Sequence, residues 1–332
     1  MISRPENGWR GVVGVVVGCV ALSGAMVSGQ TRDDSVPRTA WGDPDLHGVW
    51  TGSSLTPLER PADLEGREFL TAEEAAALEA RAAEGWVDAP PQAGDPGTYN
   101  QFWYDRGTKV IPGGRTSLIV DPPDGRLPYT ESGRERDRAS LAHYGVGARD
   151  SHVDLDTGER CLTDGLPLRY AGYNANYQIF QTPGHVAILG EMFRDLRIIP
   201  LDGRPHTAIP QWLGDGRGRW DGDTLVVETR HFADKAHFWW VNAWRATRPT
   251  LRLVERFTRV DAETLEYQFR MEDPEMFTRP WTAVIPLTTN QAARGVTTGP
   301  LYEYACHEGN HGLRNTLAGA RFEERALAGD VR

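Results

Sequence analysis

The residues in this chain best suited to chemistry are a few ionisable side chains placed where β-type runs meet turns. His307-Glu308-Gly309-Asn310-His311 reads H-E-x-x-H. On a helix, that spacing would put two imidazoles on one face for zinc, with the glutamate beside a bound water. Gly309 and Asn310 are poor helix formers at the point where the helix must already exist, and no further histidine follows at metzincin spacing. A zinc hydrolase is therefore the minor reading. In the main one, His307 and Glu308 leave a strand and serve as an acid/base pair, with no metal and no cofactor.

A second cluster, Glu191, Asp195, Arg197, Arg204 and His206, surrounds two hairpin turns. Glu191 shares the two-residue alternation of His185, Ala187, Leu189 and Phe193, which directs it inward with His185. An inward carboxylate in an apolar barrel has a raised pKa and can shuttle protons near neutrality. Arg197 and Arg204 are also near enough in sequence to neutralise Glu191 and Asp195 as structural ion pairs, and both readings stay open. Glu191 and His206 join the candidate catalytic set, and Arg197 and Arg204 are assigned to steadying an anion. Glu255 shares a face with Leu251, Leu253 and Phe257, so a carboxylate stands among inward apolar side chains. Trp239, Trp240 and Trp244 form either a buried plug or a lid gripping a ligand. Together with Tyr177 and Glu255, they complete the candidate substrate contacts.

The elements that must hold these groups are short strands between strong turn signals. Tyr177–Thr182 stops at Pro183-Gly184, Val186–Phe193 follows, Leu196–Leu201 stops at Asp202-Gly203, and Thr224–Thr229 begins after Asp221-Gly222. Such dipeptides punctuate antiparallel hairpins because glycine supplies the positive φ they need. Leu251–Val260 and Leu265–Glu272 continue the pattern, the second alternating Leu265, Tyr267, Phe269 and Met271 with polar residues. Further strands are expected at Thr116–Val120, Thr282–Thr288 and Leu301–Ala305. Gly214–Asp223 is acidic and glycine-rich but lacks EF-hand spacing, and reads as a hairpin connection. Glu131–Arg138 reads as a solvated charge cluster.

Composition is that of an ordinary globular protein: 332 residues, 39% hydrophobic and 25% charged. A net charge of −10 without a basic run disfavours nucleic acid and anionic membranes. No G-x-S-x-G, Walker or Rossmann motif is present, so serine hydrolase, nucleotidase and dinucleotide chemistry lack support. Arg4 and Arg10, the run Gly11–Val27 and the small residues that follow have the layout of a signal peptide over 1–29. Too short and glycine-punctuated for a stable membrane anchor, the run predicts a periplasmic or secreted protein. Export leaves Cys161 and Cys306 in an oxidising compartment, where a disulfide is expected, with two unpaired buried thiols the alternative.

Residues 30–110 are expected to wrap the core and to carry one helix over 71–84, opened by the capping box Thr71-Ala72-Glu73-Glu74. Gly48-Val49-Trp50 matches the G-x-W that opens the first strand of lipocalin-type barrels. Residues 111–325 are expected to form the barrel, ending in a short helix within Asn310–Arg321. The predicted fold is thus mainly β, an antiparallel barrel of calycin or lipocalin-like type with an N-terminal and a short C-terminal helix.

PDLHGVW (44–50), RTSLIVDPPDGRLPY (115–129), DLRIIPLDGRPH (195–206), GRGRWDGDTLVVET (216–229) and LYEYACHEGNHGLRNTLAGAR (301–321) span much of the chain. On these motifs it resembles a large group of exported bacterial proteins without an established role. The resemblance implies an exported single-domain protein and brings no activity with it. In that group the position of His311 is often aromatic, and the tryptophan-rich stretch 238–244 looks particular to this chain. The functional expectation is a barrel binding an apolar or aromatic small molecule, acting on it as a cofactor-free lyase or isomerase, or carrying it unchanged.

Overall fold

A computed structural model describes residues 36–84, 106–143, 150–172, 174–234, 243–245 and 248–330. The proposed signal peptide, and Trp239 and Trp240, lie outside these residues.

Nine strands follow one another around a nearly closed antiparallel barrel. They are β1 (Gly48–Thr51), β3 (Asn176–Thr182), β4 (His185–Gly190), β5 (Leu196–Pro200), β6 (Asp215–Asp221), β7 (Thr224–Arg230), β8 (Arg252–Arg259), β9 (Thr264–Glu272) and β10 (Trp281–Thr288). Their order is β5-β4-β3-β1-β10-β9-β8-β7-β6, and a short β2 (Ile119–Asp121) also pairs with β10. Almost every neighbour in the sheet is a neighbour in sequence, as turn-punctuated hairpins dictate. The exception is β1, which carries the G-x-W motif and is inserted between β3 and β10. The segment expected to wrap the barrel therefore supplies one of its staves.

Alternation decides what fills the inside. Leu265, Tyr267, Phe269 and Met271 of β9 are buried, as are Leu253, Glu255 and Phe257 of β8. Phe257, Tyr267, Phe269, Trp281 and Trp244 form a chain of ring contacts with centroids 4.9–6.4 Å apart. The barrel interior is thus packed with side chains. Trp244 belongs to that packing, stacked on Phe269 and edge-on to Trp281, and is a plug rather than a lid.

The first and last staves, β5 and β6, meet without a hydrogen-bonded ladder. Gly216 and Gly218 of β6 make this approach possible. A Cβ at Gly218 would stand 2.6 Å from Leu201 Cδ2 and 2.9 Å from Ile199 Cγ2, so side chains of β5 and of the residue just after it occupy the space a larger residue would need. This stretch forms a strand, where its glycines and acids suggested a connection.

Among the described residues, three α-helices lie outside the barrel. Helix α1 (Ala72–Glu84) starts at the expected capping box, Thr71 Oγ1 accepting from Glu74 N and Glu74 Oε2 from Thr71 N. Helix α2 (Glu131–His143) occupies the stretch read as a charge cluster. Helix α3 (Gly312–Leu327) closes the described chain. Leu301–Ala305, expected as a strand, is instead an irregular strap. Cys161 and Cys306 form the expected disulfide, joining that strap to the turn at 158–162. No helix among the described residues is long and apolar enough to cross a membrane.

Candidate binding site

Arg197 is the second residue of β5, on the inward parity of Ile199, and is buried. Its Nη1 and Nη2 donate to Glu255 Oε1 and Oε2 at 3.0 and 2.5 Å, and Nη2 also reaches Thr229 Oγ1 at 3.3 Å. Tyr267 Oη donates to Glu255 Oε1 at 2.8 Å and accepts from Leu168 N at 3.1 Å. Burial alone would lower the Arg197 pKa, but the Glu255 carboxylate outweighs it and raises the value. Burial, reinforced by Glu255, pushes the Tyr267 phenol well above its ordinary range. The inward parity read for Glu255 is realised, and its partners are Arg197 and Tyr267.

Beside this pair the chain 163–169 caps one end of the barrel. Arg169 holds Asp164 through both carboxylate oxygens, and Arg245 approaches it at 3.7 Å. Burial pushes Asp164 up, but the two guanidinium groups outweigh it and hold the pKa below the usual range. Tyr177 Oη accepts from Arg169 N at 2.5 Å. Burial raises the Tyr177 pKa. Asp195 Oδ2 accepts from Thr163 Oγ1 at 2.7 Å, Asp164 N at 2.8 Å and Gly165 N at 3.2 Å, while Oδ1 takes none among the described residues. Burial overrides these bonds and pushes Asp195 up to about 6. Asp164, Asp195, Asn176, Tyr177 and Arg197 line a cavity of about 20 Å³, room for one water.

Glu191 is buried, although not through the alternation read for it. The strand ends at Gly190, and Glu191 opens a single 3₁₀ turn, Met192–Arg194. There it accepts from Asn176 Nδ2 at 2.7 Å, Asn174 Nδ2 at 3.2 Å and Tyr302 N at 3.4 Å. His185, expected inward beside it, is exposed at the other end of β4.

On the outside, a groove runs along the barrel seam. The groove has a volume of about 460 Å³ and lies between the start of β5 and residues 210–216. Leu196, Ile198, Pro210, Trp212 and Leu213 wall it, with Asp215 at the β6 end. Leu196 and Ile198 are 52% and 63% exposed and put two apolar side chains on one outward face of β5. The Arg160 guanidinium lies 5.8 Å from the Trp212 ring centroid. Asp215 is engaged by Arg217 Nη1 and by Thr207 N at 2.7 Å.

The remaining candidates fall elsewhere. Arg204 pairs with Asp202 in an exposed turn, as local geometry favours, and does not reach Arg197 or Glu191. His206 lies against β6 and β7, 3.4 Å from Asp215 Oδ2 and 4.0 Å from Glu228 Oε1. His307 and Glu308 are exposed in a turn beside the disulfide, and the helix on which zinc binding depends begins only at Gly312. Among the described residues, no three His, Cys, Asp or Glu side chains are grouped to hold a metal. The structure thus pairs Arg197 with Glu255 and sets Tyr177 beside Arg197 in one cavity lining, holds Glu191 on Asn176 of the same lining, and places Arg204, His206, His307 and Glu308 elsewhere. Sequence reasoning missed Tyr267, Asp164 and Trp212. Only Tyr267 carried a signal: a phenol on the buried parity of a strand must find a polar partner.

No family model, curated protein or solved structure matches this chain.

Proposed function

We propose that this protein binds an apolar or aromatic small molecule in the groove at the seam of its barrel, working in an exported setting as its leader-like N-terminus and its resemblance to exported bacterial proteins suggest. One observation carries the reading. The barrel interior is filled, whereas the seam holds a groove of about 460 Å³ walled by Leu196, Ile198, Trp212 and Leu213. That volume lies in the range of small-molecule sites, about 300–1,000 Å³, and such sites combine apolar walls with a few polar groups. Gln211 and Asp215 supply polar groups in the groove lining. The test is native mass spectrometry of protein recovered from a bacterial periplasm, recorded intact and then denatured. An organic adduct released on denaturation supports the reading. If intact protein never carries one, and none forms on incubation with aromatic and aliphatic compounds, it fails.

A second reading, turnover by acid/base chemistry without a cofactor, rests on Asp195. Its carboxyl keeps one oxygen clear of hydrogen bonds from the described residues, faces a one-water cavity and is pushed by burial up to about 6, where a general acid or base is useful. A lyase or isomerase would return an altered ligand mass, whereas a carrier would return the ligand unchanged.

A further inference from the structure

Arg294 follows β10 in a 3₁₀ turn, Gln291–Arg294, and is 4% exposed. Buried guanidinium groups are ordinarily paired with a carboxylate, because an isolated buried charge is costly. Of the other buried arginines, Arg197 has Glu255 and Arg245 has Asp164, whereas Arg60 and Arg259 rest on backbone carbonyls, with Thr116 Oγ1 beside Arg60 and the Trp50 ring beneath Arg259. Arg294 has no acidic partner among the described residues. Its guanidinium donates to two carbonyls, Val110 O at 3.4 Å and Pro286 O at 2.6 Å. Burial lowers its pKa, with no opposing anion.

Arg294 borders open space. It lines a groove of about 590 Å³ between α1 and the barrel rim, with Lys109, Thr264 and Thr288 close by. Ala72, Ala75, Ala76 and Glu79 project into the groove from α1, and their three- and four-residue spacing puts them on one helix face. Val110, Ile111 and Pro112 form the opposite wall. The only carboxylate in the lining, Glu79, is occupied by Lys109 Nζ at 2.9 Å and Val110 N at 3.2 Å. Arg294 is therefore left without a carboxylate in a groove whose two walls are apolar and whose other polar lining groups are the Lys109–Glu79 pair and threonines. Helix α1 itself buries no residue.

We propose that this groove is a second ligand site, distinct from the seam, that takes an amphipathic carboxylate. The carboxylate supplies the counter-ion missing at Arg294, and an apolar chain lies between the alanine face of α1 and the Val110–Pro112 wall. The pairing suits a guanidinium, whose planar fork meets both oxygens of a carboxylate.

Isothermal titration of the whole protein with decanoate, decanol and decyltrimethylammonium tests the proposal, since the three share an apolar chain and differ in charge. Decanoate is expected to saturate one site at least about tenfold more tightly than decanol, the discrimination one charge-assisted hydrogen bond provides. The ammonium compound is expected to be weakest. Ala76→Trp, on a helix face that buries nothing, should fill the groove and remove decanoate binding, while Trp212→Ala at the seam leaves it unchanged. Arg294→Gln should bring decanoate down to the affinity of decanol. If that variant does not fold, Ala76→Trp decides alone. Equal binding of decanoate and decanol by the unaltered protein overturns the proposal, as does decanoate binding that survives Ala76→Trp. Loss through Trp212→Ala would also overturn it by placing the fatty anion at the seam.

Discussion

Arg197 on β5 and Glu255 on β8 meet inside the barrel as a two-pronged ion pair, with N–O distances of 3.0 and 2.5 Å. The two strands lie at and near opposite ends of the sheet path, so the pair ties together staves that no ladder joins. Removing one partner strands a charge in the core. Arg197→Met and Glu255→Leu are each expected to cost about 3–5 kcal/mol, and the double variant clearly less than their sum. Urea unfolding of all four proteins measures the coupling. Additive losses would show that the pair contributes no closure.

Seam closure by glycine gives a second expectation. A side chain at position 218 must displace Leu201 and Ile199. Gly218→Val is expected to destabilise by about 1–3 kcal/mol through overpacking and to raise hydrogen exchange in β5 and β6 while β8–β10 stay protected. Unchanged exchange at β5 would mean that the seam does not depend on these glycines.

The strap 301–306 is held to the end of the barrel by the Cys161–Cys306 disulfide, by the 4.8 Å edge contact of Phe193 with Tyr304, and by Tyr302 N on Glu191. The bridge closes a long loop, with a sequence separation of 145. Replacing both cysteines by serine is expected to cost about 2–5 kcal/mol, with exchange rising first in 301–308. A double-serine protein as stable as the parent would refute this.

Asp195 sets a pH dependence. Its folded pKa of about 6 lies above the ordinary 3.8, because burial penalises the carboxylate. The folded chain therefore binds more protons than the unfolded chain between these values, and this contribution to stability is full at low pH and is lost as pH rises from about 4 to about 6. An asparagine side chain at this position would still accept from Thr163 and from the backbone, so Asp195→Asn is expected to fold and to lack that decline. Stability profiles of the two proteins from pH 4 to 7 should separate by their slope in this window. Parallel profiles would contradict the assignment.

The barrel was legible because its strands announce themselves locally: Tyr267 and Phe269 alternate with polar residues, and Asp-Gly and Pro-Gly pairs mark the turns. The inward Glu255 was legible by the same periodicity. Glu191 was read as inward for the wrong reason, since Gly190 ends the strand and a 3₁₀ turn buries it. β6 was hidden because Gly216 and Gly218 remove the apolar signal at the two positions where the barrel closes on itself. Helix α2 was hidden by its charge, as Glu131–Arg138 has almost no apolar face. The seam groove was not legible at all. It depends on which strands end up as first and last stave, a property of the closed sheet rather than of any stretch of sequence.

The most direct measurement is a fluorescence titration with N-phenyl-1-naphthylamine, an uncharged apolar aromatic probe, against the unaltered protein and Ile198→Asp. Ile198 is exposed and on an edge strand, so the variant should fold normally while placing a charge in the groove wall. Saturable binding by the parent, weakened by about tenfold or more in Ile198→Asp and unaffected by Ala76→Trp, is the expected result. No saturable binding, or equal binding by parent and Ile198→Asp, would show that the seam is not the ligand site.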